Sequence, residues 1–229
     1  MLPLLSFLCI VLPSSAQLLE LNEGKVQGFD YETKKGSMSE VFLNIPYAAP
    51  PVNELRFKKP QPPEKWKDVR DGTKFGPACI PIVPEAAAPS IQTSEDCLTL
   101  NIIRPKRKAP PTGFSILVFI HGGAFGTGSA QEYGYKGFAD IYNTKYVIVI
   151  TIQYRLGVYG FFSTGDERLK GNLGLYDMTE ALKFIHSNAK NFAGDPKQIT
   201  VWGHGASAAA AGQLALSTVS REMEARISA

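Results

Sequence analysis

Two stretches, "FSILVFI" ahead of a glycine pair and "KYVIVITI" ahead of "QYRLG", are apolar almost from end to end. A strand that alternates apolar and polar residues buries one face, whereas a run without polar alternates is buried on both. That is the condition of a strand inside a parallel sheet covered by helices. The segments between and after these runs supply the helices. In "GLYDMTEALKFIHSNAKNF" the residues Leu175, Met178, Leu182, Ile185 and Ala189 recur at threes and fours and mark one face. "ITVW" reads as the next strand and the alanine-rich stretch from Ala206 as the next helix. Strand, helix, strand, helix predicts βαβ crossovers on a parallel sheet. Upstream, "LLELNEGKVQGFDYE", "EVFLNIPYAAPP" and "CLTLNIIRP" are short runs punctuated by Gly and Pro, which predicts antiparallel strands at the N-terminal edge.

At 229 residues, 44% hydrophobic and 20% charged, the chain is long enough to build a sizeable core. Its net charge of +3 is spread without a long basic run, so charge makes no case for a nucleic-acid partner or an electrostatic membrane anchor. The cluster "RPKRK", Arg104 to Lys108, adjoins "APPTG" and is expected as a solvated loop. The opening "MLPLLSFLCIVLPSSAQ" is an apolar run closed by small residues, expected as a cleaved secretory signal over 1–16 with the domain over 17–229. It is too short to span a bilayer, and nothing beyond it reaches transmembrane length. Extracellular localisation follows as the expectation. With Cys9 in the signal, Cys79 and Cys97 remain as an even pair in a chain bound for an oxidising compartment; counting pairs them, with two isolated buried thiols as the alternative. No metal and no cofactor is expected.

"HGGAF" follows the buried strand "ILVFI". A glycine pair at a strand's C-terminal end lets successive backbone N–H groups face one cavity, where they can stabilise an oxyanion. A glycine-rich turn is common on its own. Here "SEDCLTLNI" precedes it, and "ITIQYRLGVYGFFS", "GNLGLYDMTEALKFIHSN" and "FAGDPKQITVWG" follow in order.

On these motifs, together with "FLNIPYAAPPVNELRFKKPQPPEKW", "GPAC" and "LALSTVSREMEARIS", the chain from Gly24 onward resembles the N-terminal part of the type-B carboxylesterase and cholinesterase-like family. That resemblance implies an α/β-hydrolase-like fold, largely parallel with antiparallel N-terminal strands and truncated after the nucleophile-elbow helix. It implies ester hydrolysis through a serine acyl-enzyme, with a triad in the chain order Ser, acid, His. It also implies a disulfide between Cys79 and Cys97, buried ion pairs Arg56 with Glu95 and Arg155 with Asp177, and oxyanion donors from the backbone of Gly123, Ala124 and Ala206. Ala124 stands where the family usually carries a third glycine.

One motif departs from the pattern. The family's nucleophile turn is Gly-x-Ser-x-Gly, and "GHGAS" places Gly205 where the serine belongs and Ser207 where the last glycine belongs. Two residues along a helix rotate a side chain by roughly 200°, so Ser207 is expected to face away from the oxyanion donors and to pack or bond to a carbonyl. The acid and histidine of the triad are expected beyond Ala229. His121 and His204 fill motif positions beside the turn, and His186 lies on the polar side of a helix. The expectation is therefore a secreted carboxylesterase-family protein that turns over no ester as written. The alternatives are a non-catalytic extracellular binding or adhesion protein, whose partner the sequence does not name, and a fragment or gene-model error of an active carboxylesterase.

Overall fold

The computed structural model describes residues 17–83, 87–218 and 226–228; the expected signal over 1–16 lies outside the described residues. In chain order the strands are β1 (Gln17–Glu20), β2 (Lys25–Glu32), β3 (Met38–Pro46), β4 (Arg70–Asp71), β5 (Ala78–Cys79), β6 (Thr93–Ser94), β7 (Thr99–Pro105), β8 (Phe114–Ile120), β9 (Val147–Ile152), β10 (Gly194–Gly203) and β11 (Arg226–Ser228). The helices are α1 (Ala130–Tyr133), α2 (Lys136–Ile141), α3 (Gly157–Phe161), α4 (Leu173–Asn188) and α5 (Ala206–Leu216).

The main sheet runs β1-β2-β3-β7-β9-β8-β10-β11. From β1 to β9 neighbours are antiparallel, and from β9 through β8 and β10 to β11 they are parallel. This is the truncated α/β-hydrolase-like architecture expected from the sequence. Past the helix after the elbow only the short β11 follows among the described residues, paired with β10 through Thr200, Val201 and Trp202. A further strand satisfies β10's outer backbone groups, which an end at α5 would leave bare.

The apolar runs are buried on both faces. Along β8, Ile116, Val118 and Ile120 enter one core cluster with Met178, Leu182 and Ile185 of α4 and Ala210, Ala211 and Leu214 of α5. Phe119 enters a second cluster, with Phe138 and Ala139 of α2. Period-two alternation thus divides one apolar strand between two helical layers. Successive connections pass β8 to β9 on one side and then back across β8 to β10 on the other. The crevice at the C-terminal ends of β8 and β10 is the topological switch point, where open α/β sheets hold ligands.

Cys79 and Cys97 form a disulfide with Cα atoms 5.1 Å apart. Closing its 18-residue separation contributes about 3 kcal/mol in the chain-entropy model. The loop it closes is docked next to the β8 turn: Ile82 N–H donates to the Gly126 carbonyl at 2.7 Å. The Arg104–Lys108 cluster is only partly the solvated loop expected. Arg104 and Pro105 belong to β7, and Arg104 pairs with Glu40 and Lys106 with Asp30, each at 2.6 Å. The antiparallel register sets Glu40 opposite Arg104, so the strand continues where composition alone suggested its end.

Candidate active site at the ends of β8 and β10

Ile120 and Gly203 are register partners on adjacent parallel strands, so the turns that follow them leave the sheet side by side. Their backbones nearly touch: a Cβ on Gly122 would lie 2.5 Å from the His204 carbonyl oxygen. Only glycine permits that approach.

Gly205 sits at the tip of the second turn with φ 60° and ψ −125°, directly before α5. This strained strand-to-helix turn is the conformation of a nucleophile elbow. A Cβ built on Gly205 would meet nothing within 4 Å, so the position has room for a side chain and carries none.

The donor groups follow from where the carbonyls are held. Every described peptide is trans, and in a trans peptide the carbonyl and the next N–H point opposite ways. The Gly122 carbonyl lies 2.9 Å from His121 Nδ1. The Gly123 carbonyl accepts from Gly126 N–H and Thr127 N–H, both at 2.9 Å, and from the Thr127 hydroxyl at 3.2 Å. The Gly205 carbonyl accepts from Ala208 N–H at 3.0 Å. With these three oxygens committed, the N–H groups of Gly123, Ala124 and Ala206 point the other way, and none meets an acceptor among the described residues. Ala124 adopts φ 52° and Phe125 φ 59°, left-handed values that cost a non-glycine residue about 1 kcal/mol or more.

Ser207 is fully buried and does not share the cavity. Its hydroxyl donates to the His121 carbonyl at 2.5 Å, and the Tyr154 hydroxyl donates to the same oxygen at 3.0 Å. The His121 ring stacks on the Tyr154 ring, centroids 4.6 Å apart. Burial lowers the imidazole of His121 to about 4 and pushes the Tyr154 phenol up to about 12. Near neutral pH the first is therefore an uncharged ring and the second an intact donor. His204 is exposed, with Nδ1 3.2 Å from the Tyr133 hydroxyl, while His186 lies on α4, half-buried. Tyr133 and Tyr154 were not distinguished by sequence pattern; each owes its role to a partner some 30 to 70 positions away.

Around this crevice, Arg155 and Asp177 form a buried pair, with Nη2 to Oδ1 at 2.7 Å and Nε to Oδ2 at 2.8 Å. Arg56 and Glu95 also pair in a fork, at 2.5 and 2.7 Å, but not buried as expected. The Arg56 side chain is 44% exposed, because its loop runs over the surface and leaves one side of the guanidinium in water. A pair so placed is screened by water and adds little to stability.

The residues building this crevice all lie within a match to the model of the carboxylesterase family that spans residues 15–228. The chain belongs to the carboxylesterase family. Carboxylesterase relatives include gut esterase 1 of Caenorhabditis elegans, 48% identical over 90% of this chain and 35% of its own length. A medium-chain fatty acyl-CoA hydrolase precursor of Anas platyrhynchos is 38% identical over 87% of this chain and 38% of its own length. Liver carboxylesterase B-1 of Rattus norvegicus is 36% identical over 94% of this chain and 40% of its own length. The chain thus spans little more than a third of the length of the carboxylesterases it matches. Among the described residues, no helix is long and apolar enough to cross a membrane.

Proposed function

We propose that this chain keeps the ester-facing geometry of a carboxylesterase and does not carry out acyl transfer. One observation carries the reading: Gly205 forms the tip of the elbow, where a hydrolysing member needs a hydroxyl, while the Gly123, Ala124 and Ala206 N–H groups meet no acceptor among the described residues. In the serine mechanism that oxygen attacks the ester carbonyl, and the N–H groups hold the oxyanion that forms. Gly205 has no oxygen to offer. The Ser207 hydroxyl is buried and already committed to His121. Of the histidines beside the turn, His121 is buried against Gly122 and His204 faces Tyr133, so neither is placed as its base. Loss of the nucleophile alone costs about six orders of magnitude in turnover in a serine protease.

The purified chain, incubated with a fluorophosphonate probe, should remain unlabelled and should hydrolyse a short-chain nitrophenyl ester no faster than buffer. Stoichiometric labelling at Ser207 would reverse this reading. Export is part of the same proposal: the Cys79–Cys97 disulfide suits an oxidising compartment, and the apolar opening of the sequence suits a leader. N-terminal sequencing of chain recovered from medium should begin at Gln17; a mature chain beginning at Met1 would contradict it.

A further inference from the structure

The serine that stands two places past the elbow has a use in this chain that is not nucleophilic. The His121 carbonyl receives two hydroxyl donors at once, Ser207 at 2.5 Å and Tyr154 at 3.0 Å. The two hydroxyl oxygens are 3.2 Å from each other. Two protons serve three contacts, and with both directed at the carbonyl its two lone pairs are filled. Residue 121 is the root of the donor turn. Its carbonyl sets the peptide that begins Gly122, and its ring nitrogen, 2.9 Å from the Gly122 carbonyl, sets the peptide that presents the Gly123 N–H. Ser207 comes from the first turn of α5, so this contact ties the helix of the elbow to the oxyanion turn of the neighbouring strand.

We propose that Ser207 is a positioning residue, acting through His121 to hold the Gly122–Gly123–Ala124 turn with its N–H groups facing the crevice. A glycine at this position, as the family motif has it, provides no such donor. Chemistry at one turn has thus been exchanged for a cross-link between the two turns. Three other observations agree: Ser207 is completely buried, Tyr154 stays protonated across the physiological range, and the His121 ring is fixed against Tyr154 by stacking.

The test is amide hydrogen exchange, resolved by residue, on the full chain and on Ser207→Ala. Gly126 and Thr127 N–H groups report the turn, because both donate to the Gly123 carbonyl. Removing one donor from a buried carbonyl should speed exchange at Gly126 and Thr127 by roughly tenfold, with β3 amides at Val41 and Leu43 unchanged. A structural role without positioning would move all four together, and that result, or no change, overturns the proposal. If Ser207→Ala does not fold, Tyr154→Phe removes the other donor while keeping the stacked ring. It should loosen Gly126 and Thr127 selectively, and exchange as in the parent chain would overturn the proposal equally. The inference rests on Ser207 not being the nucleophile. Probe labelling tests that premise and exchange tests the lock, so the two fail separately.

Discussion

Replacing Arg155 with methionine will destabilise the chain by about 3 to 5 kcal/mol, the largest effect expected of any single change described. Asp177 is completely buried, and its two oxygens accept from Arg155 Nε, Nη2 and backbone N–H at 2.7 to 3.0 Å. Burial pulls its carboxyl above the usual range and the guanidinium bonds oppose that pull. Without the guanidinium the carboxylate keeps one backbone donor and an apolar surround, so the full desolvation cost falls on it. Arg155 Nη1 also donates to the Lys58 carbonyl at 2.8 Å, and losing that bond frees the loop that carries Arg56. Urea unfolding checks the size of the effect. An Arg155→Met, Asp177→Leu double variant should recover much of the loss, since replacing both partners leaves no orphaned charge. A single variant within about 1 kcal/mol of the parent would show that the pair is solvated.

The second large effect is one of pH. The folded pKa of His121 lies near 4, against 6.5 for the free side chain, because burial disfavours the charged ring. Between those values the unfolded chain binds a proton that the folded chain refuses. The contribution is thus complete above about pH 6.5, declines as pH falls towards 4, and is spent below it. About 2.5 pH units at 1.36 kcal/mol each correspond to roughly 3 kcal/mol. Unfolding free energies measured from pH 7 to pH 4 should fall by that amount, and His121→Gln should flatten the slope. An unchanged slope in that variant would place the titrating group elsewhere. Because the His121 ring meets the Gly122 carbonyl and stacks on Tyr154, the Gly122–Gly123–Ala124 turn is the first part expected to loosen on acidification.

How far the sequence anticipates this structure depends on how local the cause is. The interior strands β8 and β9 are legible because a strand covered on both faces leaves its mark in its own residues. The elbow is legible because Gly203 and Gly205 fall between a strand and a helix that each leave their own local pattern. The order of β9, β8 and β10 is a matter of which side each crossover returns to, and residue patterns do not record it. β11 is three residues long and exists through pairing with β10, so it has no periodicity of its own to detect. The case of Ser207 is intermediate. Helical rotation shows that it leaves the cavity, but its acceptor, the His121 carbonyl, lies 86 positions away. The exposure of Arg56 is hidden from the sequence for the same reason: pairing with Glu95 can be inferred from the family pattern, whereas burial depends on what covers the loop.

The conformation of Gly205 has a further consequence. A residue with a side chain held in such a sparsely populated backbone region stores about 1 to 3 kcal/mol, an expense that a working nucleophile justifies. Glycine adopts φ 60° without it. A serine placed at this turn would carry that cost, whereas Gly205 gives the turn the same shape without it.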